Sequence, residues 1–270
     1  MRAAIADYRV LEPWARPGRF VCRPPDRLGR TGPVMLRELE VDAEGWPQLC
    51  DHLLRLASVP EDKLLEVIEV GPDLATGRVF LVTAPAEPAW PDAPGGAVGD
   101  PGRVVQAVAA AARCAHDLHE MGLTHGAIRP DAILRGPAAT VLDLPRLDGP
   151  AGEVISTGTW KELLTISPEL LSGEPPSRSS DVWALGATLH ALVSQDPLFP
   201  GIERDEPVTA VQRIMFTRPE IDPTIPPGLA EVIAACLATD AADRPRSAAD
   251  VADRLAGAGL RPGPGGGKDA

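Results

Sequence analysis

APAEPAWPDAPGGAVGD (84–100) divides the chain. Its prolines and glycines can neither propagate a helix nor complete a ladder, so it reads as a linker between two lobes. Before it, YRVL, RFVC and PVMLRELEV within residues 8–41 are short apolar runs split by Pro and Gly clusters. That pattern predicts a small antiparallel sheet built from hairpins. Trp46, Leu49, Leu53, Leu54 and Leu56 recur at helical spacing over 43–57. KLLEVIEV (63–70) and RVFLVTA (78–84) predict two further strands around the turn GPDLATG. Beyond the linker the character changes to helix. VVQAVAAAARCAHDLHEMG (104–122) is periodic and Ala-rich, and Gly122 suits its C-terminal cap. SSDVWALGATLHALVSQ (179–195) predicts another, with Ser180 or Asp181 as N-cap, and GLAEVIAACLATD (228–240) and SAADVADRLAGAG (247–259) follow. A sheet-rich first third, a hinge and a helical remainder predict a two-lobed α+β fold.

Composition bounds the function. The chain has 270 residues, 44% of them hydrophobic, enough for a real core. With 26 basic against 38 acidic side chains, the net charge of −12 argues against nucleic acid as a partner. No apolar run is long enough to span a membrane, and MRAAIADYRVLEPW lacks the apolar core of a secretion signal, so a cytoplasmic location is expected. Cys22, Cys50, Cys114 and Cys236 form no CxxC pair and read as reduced thiols. His116 and His119 lie three apart with no third ligand nearby, which reads as ordinary helix positions rather than a metal pair. Aromatic residues make up only 4%, so the core must be aliphatic; Trp46 and Trp160 read as core or interface.

In the helical half, THGAIRPDAIL (124–134), TVLDLP (140–145), TISPELL (165–171), SDVWALGATLHALV (180–193) and DRPRSAADV (243–251) follow one another. This succession resembles the bacterial Ser/Thr protein kinases of the eukaryotic-like family, over nearly the whole chain. The resemblance implies a small β-rich lobe over 8–85, a hinge over 86–100, a larger helical lobe over 101–259 and a disordered tail over 260–270. The family's site takes ATP and Mg²⁺; the cofactor of this chain is left open between these and none, and the site's residues carry over position by position.

A kinase catalytic loop reads His-Arg-Asp, then Leu-Lys-Pro-x-Asn. Here His125 and Pro130 match, while Gly126 stands for the arginine, Ala127 for the catalytic-base aspartate, Arg129 for the lysine and Ala132 for the metal-binding asparagine. Asp143-Leu144-Pro145 stands for Asp-Phe-Gly. Asp143 is therefore the candidate metal and nucleotide ligand, or simply the cap of a turn, and Pro145 fixes φ near about −65° where the family has a pliant glycine. In the first lobe VMLR (34–37) places Arg37 at the phosphate-gripping lysine, and the helix glutamate that would pair with it falls near Leu49. Arginine is no silent replacement for lysine. The chain's lysines, Lys63, Lys161 and Lys268, are not placed to substitute. In the glycine-rich loop, EPWARPGRFV (12–21), Gly18 survives while Pro13 and Ala15 occupy the other glycine positions. Thr83 falls at the back of the nucleotide pocket and is small enough to leave it open.

The matches sit elsewhere. Glu169 and Arg244 stand where the family has a buried ion pair, and Asp181 where an aspartate holds the catalytic loop's backbone, beside His125. Matches on residues that hold the lobe together, and losses on phosphate, metal and proton chemistry, imply a degenerate member, a pseudokinase. Its expected role is a cytoplasmic signalling regulator or scaffold that binds a partner protein, an active kinase or its substrate. The alternatives are an atypical active Ser/Thr kinase in which Asp131 orients the hydroxyl, and a phospho-responsive adaptor. Ser156, Thr157 and Thr159 are the candidate phosphosites; Glu162 replaces the family's substrate-facing threonine.

Overall fold

The computed structural model describes residues 4–13, 19–39, 46–60, 62–90, 100–135, 140–145, 163–194 and 196–258. The first lobe is a six-stranded antiparallel sheet. Its strands are β1 (Ala4–Ile5), β2 (Tyr8–Pro13), β3 (Arg19–Arg23), β4 (Val34–Leu39), β5 (Val67–Asp73) and β6 (Arg78–Thr83), in the order β1-β2-β3-β4-β6-β5. Side chains alternate across it. On β6, Phe80 and Val82 join Ile5, Tyr8, Cys22 and Leu36 in an outer apolar cluster, while Val79 and Leu81 face the main core. The helix α1 (Trp46–Leu56) covers that inner face with Leu49, Leu53 and Leu56.

The strand expected over 63–70 is divided between two partners. Leu65 donates its N–H to Leu142 O at 2.9 Å, and Lys63 O accepts from Leu142 N at 2.8 Å. The run therefore first ties the lobes together, and β5 starts only at Val67. The 84–100 stretch does contribute a ladder, contrary to expectation. Glu87–Pro88 (β7) pairs with β8 (Ile133–Arg135), which pairs with β9 (Thr140–Leu142). Pro88 is tolerated because β7 is an edge strand, where a missing N–H costs no ladder bond. Residues 91–99 of the expected hinge lie outside the described residues.

The second lobe is built on α2 (Pro101–Glu120), α3 (Pro168–Leu171), α4 (Arg178–Val193), α5 (Pro207–Phe216), α6 (Pro227–Cys236) and α7 (Ala248–Gly257). Asp100 caps α2 through the Arg103 N–H, and Gly122, at φ 71°, follows its end. Alanines 107, 111, 112 and 115 are buried along α2. The central helix α4 is apolar nearly all round and buried nearly throughout. Its cap differs from expectation. Ser177 is the N-cap, accepting from Ser180 N while Ser180 Oγ accepts from Ser177 N, which leaves the Asp181 carboxylate for other partners. Helix α5 was not anticipated; it buries only Ala210 and Ile214. The cysteines are free thiols. No helix among the described residues is long and apolar enough to cross a membrane.

Candidate functional site

A cleft of about 460 Å³ opens between the lobes, walled by β3, β4 and the end of β6 above and by β8 and the residues after β9 below. Arg19, Arg37, Thr83, Asp131, Asp143 and Leu144 line it. Asp143 is held by its backbone. Its N–H donates to Ala132 O at 2.7 Å, and its carbonyl accepts from His125 Nε2 at 2.8 Å. The carboxylate accepts from Leu144 N through Oδ1 at 2.8 Å and from Arg19 Nη1 through Oδ2 at 3.1 Å.

Below it, Asp181 organises the loop. Its Oδ1 accepts from Gly126 N at 2.8 Å and its Oδ2 from His125 N at 2.8 Å, with His119 Nε2 at 2.9 Å. Gly126 turns with φ 68°, a conformation open to glycine at little cost. Burial pushes the His125 imidazole below its ordinary pKa against the pull of Asp181, so it is neutral. Its Nε2–H then donates to Asp143, and its Nδ1 accepts from Ala127 N at 3.2 Å. The 125–132 segment is thus held by Asp181 and by the backbone of Asp143, while Ala127 and Ala132 bring only methyl side chains to it.

The remaining candidates separate. Arg37 sits opposite Arg19 in the β3–β4 register, and both line the cleft. Leu49 is buried in the main apolar cluster and offers Arg37 no carboxylate. Thr83 is buried at the cleft wall. Lys63 turns away to Asp117, with Nζ 2.6 Å from Oδ2. Asp131 Oδ1 lies 2.8 Å from Arg129 Nε. Far from the cleft, Arg244 grips Glu169 with two bonds, at 2.6 and 3.0 Å, and also donates to Ala238 O and Ser179 O. Its guanidinium lies 5.0 Å from the Trp183 ring centre. Burial raises the Glu169 carboxyl, but Arg244 and the surrounding hydrogen bonds together hold it below its ordinary range. Ala15, Gly18, Ser156, Thr157, Thr159, Trp160, Lys161, Glu162 and Lys268 lie outside the described residues.

Arg19 escaped the sequence reading, because one arginine following Arg16, Pro17 and Gly18 carries no local signal. The bond between His119 and Asp181 escaped it too, since nothing local joins residues 62 apart. Magnesium does not fit the donor set. Ala132 offers no side-chain oxygen, Asp143 is engaged by a guanidinium, and among the described residues no three His, Cys, Asp or Glu side chains converge.

No family model matches the chain. The crystal structure of the Mycobacterium tuberculosis PknI kinase domain superposes with a TM-score of 0.67 at 20% identity, over 96% of this chain and 100% of that one. The fold is that of a protein kinase domain. A PknI double mutant superposes with a TM-score of 0.69 at 20% identity, over 96% and 100% of the two chains. In sequence, the serine/threonine-protein kinase PknK of Mycobacterium tuberculosis is 30% identical over 145 residues, 51% of this chain and 13% of PknK. A "Probable cell division protein kinase" of Encephalitozoon cuniculi is 29% identical over 133 residues, 45% of this chain and 50% of that protein. The match thus spans half or less of each of these sequence relatives.

Proposed function

We propose that this kinase-fold domain is a pseudokinase, a cytoplasmic signalling regulator that works by binding a partner protein rather than by transferring phosphate. The observation that carries the proposal is the Arg19–Asp143 pair in the cleft, together with alanines at positions 127 and 132, which have no side-chain oxygen. A kinase needs a carboxylate to accept the substrate hydroxyl's proton and metal ions to neutralise the phosphates. Loss of the base alone removes roughly 10²–10⁴ in rate. Incubation with radiolabelled ATP, Mg²⁺ and Mn²⁺ is expected to label neither the chain nor a generic protein acceptor above background. Turnover in the ordinary kinase range of ~1–100 s⁻¹ overturns the proposal.

One observation favours a second reading, an atypical active Ser/Thr kinase. Asp131 lines the same cleft as Asp143. In that reading Asp131 orients the hydroxyl, and Asp131→Asn abolishes a transfer that wild type performs. The contact between Asp131 and Arg129 argues against it, because that carboxylate is already engaged by a guanidinium.

A further inference from the structure

We propose that Arg19 is the resident cation of the cleft, so that the cleft takes a nucleoside polyphosphate free of divalent metal. The inference rests on the reading of this cleft as that of a kinase fold without metal chemistry, and it adds a ligand and the residue that selects it.

Arg19 begins β3, and Arg37 lies directly across from it on β4. The two bring positive charge to one wall of the cleft. Asp143 supplies one negative charge, 3.1 Å from Arg19 Nη1. A guanidinium carries five N–H donors in a planar fork. The one contact to Asp143 leaves that fork geometry able to reach a phosphate oxygen as well, and forked recognition of phosphate is what arginine does best.

Magnesium would have to enter by a harder route. It sheds water reluctantly and wants a near-octahedral set of oxygens. Here it would have to displace Arg19 from Asp143, and Ala132 has no side-chain oxygen to offer it. Leu81, Ala84, Leu134 and Leu144 beside Thr83 give the cleft an apolar lining as well, which suits the flat face of a base. A base against the apolar lining and phosphates toward Arg19 is the arrangement these residues favour.

The test is calorimetric titration of the whole chain with ATP, once in EDTA and once in excess Mg²⁺. Affinity in EDTA is expected to equal or exceed that in Mg²⁺. Arg19→Gln should weaken binding in EDTA by roughly tenfold or more, the loss of a charged contact. Asp143→Asn keeps an acceptor for the Leu144 N–H but frees Arg19 of its carboxylate, so it should tighten binding in EDTA. Binding seen only with Mg²⁺ and lost in Asp143→Asn overturns the proposal. So does no ATP binding in either buffer, or unchanged affinity in Arg19→Gln. Melting of each ligand-free variant alongside wild type separates lost contacts from lost fold. Failure of the regulatory reading appears elsewhere, as label transferred to protein in the ATP incubation.

Discussion

Ala127 and Ala132 lack the side chains of a phosphotransferase but keep backbone roles. Ala127 donates its N–H to His125, and Ala132 accepts the N–H of Asp143. The loop therefore holds its shape without the groups that would act from it. Shape and chemistry separate in the same way at Glu169 and Arg244. Arg244 is buried and Glu169 partly so, and the bidentate pair is remote from the cleft, so it is expected to act on stability. Arg244→Ala leaves the Glu169 carboxylate without its cation, and removing one partner of a buried pair costs about 3–5 kcal/mol. Arg244→Lys keeps the charge but loses the fork and the bonds to Ala238 O and Ser179 O, so it should destabilise less. Urea denaturation of the two variants measures both losses. An Arg244→Ala midpoint equal to wild type contradicts the burial of the pair.

At the scale of elements, α4 is the test piece. Ser177→Ala removes the cap that accepts the Ser180 N–H, and is expected to cost about 1 kcal/mol. Gly186 faces α6 so closely that a methyl group there would lie 2.4 Å from Cys236 Cβ. Gly186→Ala must push the two helices apart, at an expected cost of about 1–3 kcal/mol. A thermal-melt comparison should rank Gly186→Ala at or below Ser177→Ala in stability.

Strands and helices with a clean period were legible in the sequence, as were α2 with its terminal glycine and the division into two lobes. Elements decided by distant partners were not. Nothing in KLLEVIEV says that Lys63 and Leu65 will bond to Leu142, and nothing in Glu87–Pro88 says that an edge of β8 awaits it. The Ser177 cap was obscured by a closer Ser180, whose hydroxyl belongs to the same box from the other side. In the cleft, the positions that lack chemistry could be found by motif. The residue that answers Asp143 comes from a strand 124 positions away and could not.

The whole molecule carries a pH dependence set by its interior. Burial lowers the pKa of His125 and brings that of His190 down to about 4, both from an ordinary 6.5. The unfolded chain thus takes up these protons before the folded one does. The stability they contribute is complete above about pH 6.5 and is lost as pH falls below it, for His190 down to about 4. Glu169 and Asp222, held below the ordinary carboxylate range, lose theirs only at lower pH still. Calorimetric melting temperatures should hold steady near neutrality and begin to fall below about pH 6.5. In His190→Gln the part of that fall between pH 6.5 and 4 should be shallower; an unchanged profile excludes His190 as a cause.

Leu39, Leu49 and Leu81 of the first lobe share one apolar cluster with Leu142, Leu144 and Leu163 of the second. A protease or a gene fusion that severed the polypeptide within residues 91–99 would therefore not release two independent modules. The sheet fragment would carry a greasy underside into water and the helical fragment the matching scar, and each would aggregate unless its complement were made beside it. Co-expressed halves should reassemble, whereas separately purified halves should not stay in solution.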